Sequence, residues 1–543
     1  AHSRALPTAM AATPPTIMGL DDLPPAVLLR ASFSTSLLPK HPVALILACR
    51  CPLVPLGTGP MAWRDMARSG DAYKLRLKSV ISNKKTSDFL CKITKIRLSL
   101  ISERYLEARM DRYLMAELMR WKESRRRKPL ILNGARQVGK TWLLKEFGRT
   151  QFDDVAYVSL DNNDAARALF ESGYDMERIV AGLSLLTGVR VKVGSTLLVL
   201  DEVQACPRAI TALKYFCEEL PELAVAAAGS LLGVSATEGT GYPVGKVDSL
   251  DLHPLSFREY LDATGDKMLR EFLDDGDPVS VNAFGERARA ALKNYCVVGG
   301  MPSVVEEFAQ TGDLGEARRL QLQILVDYER DFGKHVPVRL LPKMHDLWDS
   351  IPAHLSHENK KFVFGRVREG ARAKDYEEVL AWLSQAGLIH RVSRVTKPGI
   401  PLSAYDDRRA FKVFLLDVGL LGAMSGLTPS SVIEGDVVFT EFKGALTEQY
   451  VCQQLIADCR MRPYYWSAEN SRGEVDFLTQ KDGNVFAIEV KAEENLQAKS
   501  LRSFKERNPG VSAVRFSLSG YREQDWMSNV PLYAVGVSKL WNK

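Results

Sequence analysis

Two stretches of the chain hold polar side chains at spacings that a packed core does not require. The first is GARQVGKT, residues 134–141, directly after the apolar run KPLILN. Glycines let backbone amides curl around phosphate oxygens, and the start of a following helix adds positive potential. In that frame Lys140 reaches the β and γ phosphates and Thr141 coordinates magnesium. The expected ATP-contacting set is Gly134, Ala135, Arg136, Gln137, Val138, Gly139, Lys140, Thr141 and Trp142. Further on, the apolar run STLLVLDE ends in Asp201, a second magnesium ligand, and Glu202, a water-activating base. A third run, AVAAAGS, ends in Ser230, suited to sit beside the γ phosphate and sense its loss.

The second stretch is EVDFLTQKDGNVFAIEVK, residues 474–491. Apolar and polar residues alternate on both sides of Asp482-Gly483, a pair that favours a tight hairpin turn. If Lys481 pairs with Asn484, Asp476 falls opposite Glu489 and Glu474 opposite Lys491, all four on one face. Facing carboxylates repel unless something positive lies between them. A divalent ion between Asp476 and Glu489 meets that need, with Glu448 of the helical run ALTEQYVCQQL as a further ligand. Lys491 would orient water or stabilise charge developing on a phosphorus atom. The plainer alternative is an exposed Glu474–Lys491 ion pair worth about 0–1 kcal/mol, which leaves Asp476 opposite Glu489 unexplained.

The elements that must position these groups follow from the apolar pattern. Over residues 110–255, short apolar runs alternate with longer segments that can be helical, the pattern of a parallel sheet covered on both faces. Residues 256–335 read as mostly helical, with Gly299, Gly300, Met301 and Pro302 as a helix stop and turn. Within 336–425, Tyr376, Val379, Leu380 and Leu383 share a helix face that ends near Gly387 and leads into a strand pair, a winged-helix pattern. Nearby Lys360, Lys361, Arg366, Arg368, Arg372 and Lys374 could contact phosphates or form a solvated docking face. The last domain, 436–543, holds the hairpin. Arg208 and Arg258 are candidates for an arginine that approaches the γ phosphate.

The strings GARQVGKTWLLKEF, LLVLDEVQ, AAAGSLLG, LHPLSFREYL, VVGGMPSVV and FKVFLLDVGLL, with EVDFL and IEVK, resemble prokaryotic ATPases that join an AAA-type P-loop core to a C-terminal domain of unknown function. The likeness covers residues 110–543. It implies an α/β protein: a P-loop NTPase sheet, a winged helix, and a C-terminal fold similar to PD-(D/E)XK nucleases. Lys140, Thr141, Asp201 and Glu202 match the nucleotide site, and Asp476, Glu489 and Lys491 match the nuclease-like motif. Val475 stands where that motif has proline.

At 543 residues, 46% of them hydrophobic and 25% charged, the chain has material for three or four cored domains. Its net charge of +6 does not point to nucleic acid, because residues 1–109 hold 16 Lys and Arg against 7 Asp and Glu, and the remainder 56 against 59. That first segment has no sustained periodicity and reads as a tail or as translated upstream sequence, with a natural start near Met110. Eight scattered cysteines form no CxxC pair and read as reduced thiols. The run VALILACRCPLVPL is too short to span a bilayer, so no membrane association is expected and the location is cytoplasmic by default.

The leading expectation is an ATPase, using ATP and Mg2+, that couples hydrolysis to a nuclease-like, DNA-directed domain. The alternative is a nucleotide-dependent signalling switch or scaffold whose C-terminal domains hold a protein partner, or a second copy of the chain, without cleavage.

Overall fold

The computed structural model describes residues 111–230, 241–357, 360–435, 437–468, 473–492 and 498–542. Residues 1–109 and the start expected near Met110 lie outside them. The described residues contain two sheets.

The first sheet is parallel and comprises β1 (Leu130–Asn133), β2 (Asp154–Ser159), β3 (Thr196–Asp201), β4 (Ala224–Ala228) and β5 (Asp248–Asp251) in the order β2-β3-β4-β1-β5. Strands β3 and β4 are buried along their whole length, as continuous apolar runs must be in a sheet covered on both faces. Alternation sends their side chains to two cores. Leu130, Leu132, Leu197, Val199, Ala224 and Ala226 join one, while Ile131, Leu198, Leu200, Val225 and Ala227 join the other. Because the strands are parallel, the C-terminal ends of β1, β4 and β3 lie side by side, and the three sequence-selected polar segments emerge there.

Helices then dominate up to β6. Phe257–Ala263 starts with a capping box between Ser256 and Glu259; Gly285–Val298 and Pro302–Thr311 are joined through Gly299-Gly300-Met301. The 22-residue helix Leu314–His335 is capped by Asp313. Leu341–Ser356, Phe364–Val367 and Ala373–Gln385 follow. Tyr376, Val379, Leu380 and Leu383 are buried on one face of the last of these, and Gly387 (φ 73°) turns the chain into the strand pair β6 (Ile389–Val395) and β7 (Asp406–Leu415).

The second sheet is mixed. It adds β8 (Tyr464–Ser467), β9 (Glu474–Lys481), β10 (Asn484–Val490), β11 (Ser512–Ser517), β12 (Arg522–Glu523) and β13 (Ser528–Pro531), in the order β12-β13-β11-β10-β9-β8-β6-β7. The pairing of β6 with β8 runs through Arg394 and Tyr465, so the β6–β7 ribbon continues the C-terminal sheet. Helix Val437–Ala457 brings buried Gln449 and Gln453 to the backbones of Leu415 and Val418. In the β9–β10 hairpin Lys481 pairs with Asn484 and the ladder runs to Phe477–Ile488. Asp482 (φ 50°) and Gly483 (φ 81°) form its turn.

Candidate functional site

The loop after β1 has the geometry its composition allows. Gly134 (φ 145°) runs so close to the Leu252 carbonyl that a Cβ would lie 2.3 Å from the oxygen, and Gly139 (φ 93°) sits just before helix Lys140–Gln151. Lys140 is buried. Its ammonium donates to the carbonyls of Gly134 (2.8 Å) and Ala135 (2.7 Å), inside the concavity of the loop. Burial lowers its pKa to about 8 against the pull of Glu202 and Asp201. A phosphate beside that ammonium would restore the charge that burial disfavours.

Thr141 Oγ1 donates to Asp201 Oδ2 at 2.6 Å, and Tyr157 donates to the same oxygen at 3.0 Å. The hydroxyl of Thr141 and the carboxylate of Asp201 are hard oxygen donors that fit magnesium. The other Asp201 oxygen accepts from the Glu202 amide at 3.0 Å, which holds Glu202 in a left-handed conformation (φ 53°) at the strand end. Gln204 donates to the Glu202 carboxylate and also reaches Ser230 Oγ at 3.5 Å. A cleft of about 640 Å³ is lined by Arg136, Gln137, Gly139, Lys140, Thr141, Trp142 and Glu202, among others. The structure therefore brings the polar residues selected from all three strand ends together.

Sequence reading missed the supports of this loop. Arg112 is buried and spends its whole guanidinium on the fold: Nε to Glu259 (3.1 Å), Nη1 to the Val138 carbonyl (2.9 Å) and Nη2 to the His253 carbonyl (2.5 Å). Helix Leu314–His335 grips the loop from outside. Asp331 pairs with Arg136 at 2.6 Å, Tyr328 donates to the Arg136 carbonyl at 2.9 Å, and Gln137 donates to Asp327 at 3.3 Å. Arg136 also donates to Ser230 Oγ at 3.1 Å. No sequence signal marks these partners, which lie nearly 200 positions away on an amphipathic helix. The arginine candidates lie elsewhere: Arg258 is paired with Asp274 (2.6 Å) and Asp458 (3.0 Å), and Arg208 stacks over Tyr174. Arg112 and Arg136 are the arginines that line the cleft.

The second cluster gathers the expected acids and adds two lysines: Lys360, which sequence reading grouped with the basic face, and Lys412, which it did not single out. Lys412 of β7, with 1% of its side chain exposed, binds Glu474 at 2.5 Å and lies 3.7 Å from Glu448. Lys360 binds the other oxygen of Glu448. Asp476 accepts from the Val490 amide at 2.7 Å, and Glu489 pairs with Lys491 at 2.9 Å. Burial alone would lower the Lys412 pKa, but Glu448, Glu474 and Asp476 outweigh it and push it above the ordinary lysine value. Burial likewise disfavours the Glu448 carboxylate, and Lys360 and Lys412 hold its pKa low all the same. Burial and the neighbouring Glu448 push Asp476 up to about 7.

Three expectations change as a result. The positive charge that the hairpin acids demand is present as lysine, and Glu448, Asp476 and Glu489 in this arrangement do not fit a divalent ion. Among the described residues no group of three or more His, Cys, Asp or Glu side chains is placed to hold a metal. Lys360, grouped with the phosphate-contacting basic residues by sequence, is buried against Glu448. Glu474 pairs with Lys412 in place of Lys491.

A further cleft, of about 580 Å³, lies where β5, β6 and the end of helix Val437–Ala457 meet, and His253 and His390 face each other in it at 6.1 Å. Burial lowers the His390 pKa to about 3, with His253 adding to the shift. A histidine that stays neutral when folded but charges when unfolded destabilises the fold as pH falls below about 6.5. Replacing His390 with phenylalanine should therefore flatten the stability loss between pH 7 and pH 5 by on the order of 1–2 kcal/mol, read from urea midpoints. An unchanged pH profile would contradict it.

Residues 126–261 match the AAA domain family, residues 289–431 a domain of unknown function (DUF8612), and residues 443–534 another (DUF4143). Solved structures are similar at low identity. A Walker-type ATPase of Pyrococcus abyssi is 15% identical over 58% of this chain and 95% of its own, with a TM-score of 0.36. The Aeropyrum pernix Orc1 protein in complex with DNA is 17% identical over 58% and 93%, with a TM-score of 0.25. The Thermotoga maritima RuvB Holliday junction branch migration motor is 16% identical over 54% and 89%, with a TM-score of 0.21. No curated protein matches the chain. Among the described residues no helix is long and apolar enough to cross a membrane.

Proposed function

We propose, from the premise that residues 126–261 are an AAA-type P-loop domain, that this chain binds ATP with Mg2+, hydrolyses it, and passes its nucleotide state to the C-terminal domains through helix Leu314–His335. The observation that carries the reading is Arg136. This one side chain of the phosphate loop bonds at once to Ser230 and to Asp331. A γ phosphate in the loop carries more negative charge than a single carboxylate and competes with Asp331 for the guanidinium. Loss of the phosphate returns Arg136 to the helix.

Within that reading, Lys140 and Arg136 bind the phosphates, Glu202 takes the proton of the attacking water, and Ser230 sits between the phosphate loop and Glu202. Thr141 and Asp201 would hold the magnesium ion, which supplies charge neutralisation on the phosphate oxygens. The helix-rich segment with the β6–β7 ribbon serves as a winged helix. Its exposed Lys361, Arg366, Arg368, Arg372 and Lys374 favour DNA. The C-terminal domain is nuclease-like in layout and acts by binding, without cleavage. A second reading, a protein partner, is favoured by Glu377 and Glu378, which occupy the exposed face of Ala373–Gln385 and pair with Arg391 and Arg339.

Hydrogen exchange with and without ATP tests the proposal. Protection across residues 314–335 should change on adding ATP and stay constant in Lys140→Ala; equal exchange in both states of the parent protein would end the coupling claim. In the same preparations, Arg366→Glu/Arg368→Glu/Arg372→Glu should weaken duplex DNA binding at least tenfold and lower the salt slope by roughly 0.9 per lost phosphate contact. Unaltered DNA affinity would leave the protein-partner reading.

A further inference from the structure

We infer that the C-terminal acid cluster is a cation site filled by the chain itself, with the Lys412 ammonium in the place a divalent metal ion would take and Lys360 closing its flank. The inference concerns this cluster alone and stands whether or not the P-loop domain turns over ATP.

Three features carry it. First, each acid already has a partner within the chain, and only Glu448 Oε2 and Glu489 Oε2 are buried without a hydrogen bond among the acids of the cluster. Glu448 faces Lys360 with one oxygen and Lys412 with the other, Glu474 holds Lys412 at 2.5 Å, Asp476 accepts from the Val490 amide at 2.7 Å, and Glu489 holds Lys491 at 2.9 Å. A hard divalent ion takes about six oxygens at roughly 2.0–2.6 Å, more than the two that lack a hydrogen bond, so its entry would have to break some of these pairs.

Second, Lys412 cannot leave easily. It belongs to a strand, so its Cα is fixed by the β6–β7 ladder opposite Val392, and its buried ammonium lies 5.1 Å from the centre of the Tyr465 ring. A divalent ion only a few ångströms from a fixed ammonium in a poorly screened site is strongly repelled.

Third, Lys360 comes from outside the hairpin domain. Its segment is held to the same strand by Phe362, whose amide donates to the Phe411 carbonyl at 2.8 Å. The cluster thereby ties three parts of the chain together: the segment before Phe364–Val367, β7, and the helix and hairpin that bear the acids.

Manganese titration of the nucleotide-free full chain tests the inference, with bound ion counted by electron paramagnetic resonance. A Thr141→Val background removes the ion of the nucleotide site. In that background no Mn2+ site should depend on Asp476, so adding Asp476→Asn changes nothing. Adding Lys412→Met should create one site, at least tenfold tighter than anything before it, and Lys412→Met/Asp476→Asn should lose it again. The inference is overturned by a stoichiometric Mn2+ site that Asp476→Asn abolishes while Lys412 is intact. It is equally overturned by a folded Lys412→Met protein that gains no site. If Lys412→Met does not fold, the comparison at Asp476 with Lys412 present decides the matter.

Discussion

The Glu202→Gln protein is expected to bind ATP with near-parental affinity and to turn it over roughly 10²–10⁴-fold more slowly, the usual contribution of a positioned general base. The expectation rests on placement. Glu202 follows the last residue of β3, its amide is fixed by the carboxylate of Asp201, and its side chain lines the same cleft as Lys140 and Thr141. Glutamine keeps the shape and can still accept from Gln204, but it cannot take a proton from water. Lys140→Ala is the contrast, because it removes the ammonium that would meet the phosphates and should lower affinity as well as rate. Steady-state turnover and fluorescent-nucleotide binding separate the two effects. A Glu202→Gln protein with parental turnover would remove Glu202 from the reaction and leave the binding site intact.

The second large effect is on stability. Glu448→Gln leaves the size of the side chain unchanged and removes the charge that buried Lys360 and Lys412 share. Deleting one member of a buried ion pair costs about 3–5 kcal/mol, because the remaining charge stays buried without compensation. Lys412 keeps Glu474, whereas Lys360 has no other ion pair among the described residues. The loss should therefore fall near the lower end of that range. Urea unfolding at neutral pH measures it. A loss below about 1 kcal/mol, the value of an exposed pair, would mean that water reaches the cluster. Replacing Lys360 and Glu448 together with Met and Leu should recover most of the loss, since a well-packed apolar pair can equal a buried ionic one.

The geometry of the candidate nucleotide site was readable in the sequence because the composition of the loop constrains the backbone. Gly134 and Gly139 adopt conformations and approaches closed to other residues, and Asp201 and Glu202 must end a buried strand. The hairpin was readable for a similar local reason: Asp482-Gly483 sets the turn, and the turn sets the register. The same argument called for a positive charge between the facing acids and assigned it to a divalent ion, without pointing to lysines from elsewhere in the chain. Lys412 sits in FKVFLL, a string that reads as plain core strand, and Lys360 sits in a basic run that reads as surface. Both reach the acids through tertiary folding, across sequence separations that no spacing rule spans. The grip of Asp331, Tyr328 and Asp327 on the phosphate loop was hidden for the same reason, since helix Leu314–His335 shows only ordinary amphipathic spacing.

The second sheet ends in two guarded borders. At one side β12 is only two residues long. At the other, β7 opens with Asp406, Asp407, Arg408 and Arg409, and farther along it the Phe411 carbonyl is taken by the Phe362 amide. Open strand borders invite recruitment of foreign strands, and brevity, charge and a covering segment each prevent it. Molecules that associate with this region are therefore steered away from strand addition and toward its helices and side-chain surfaces.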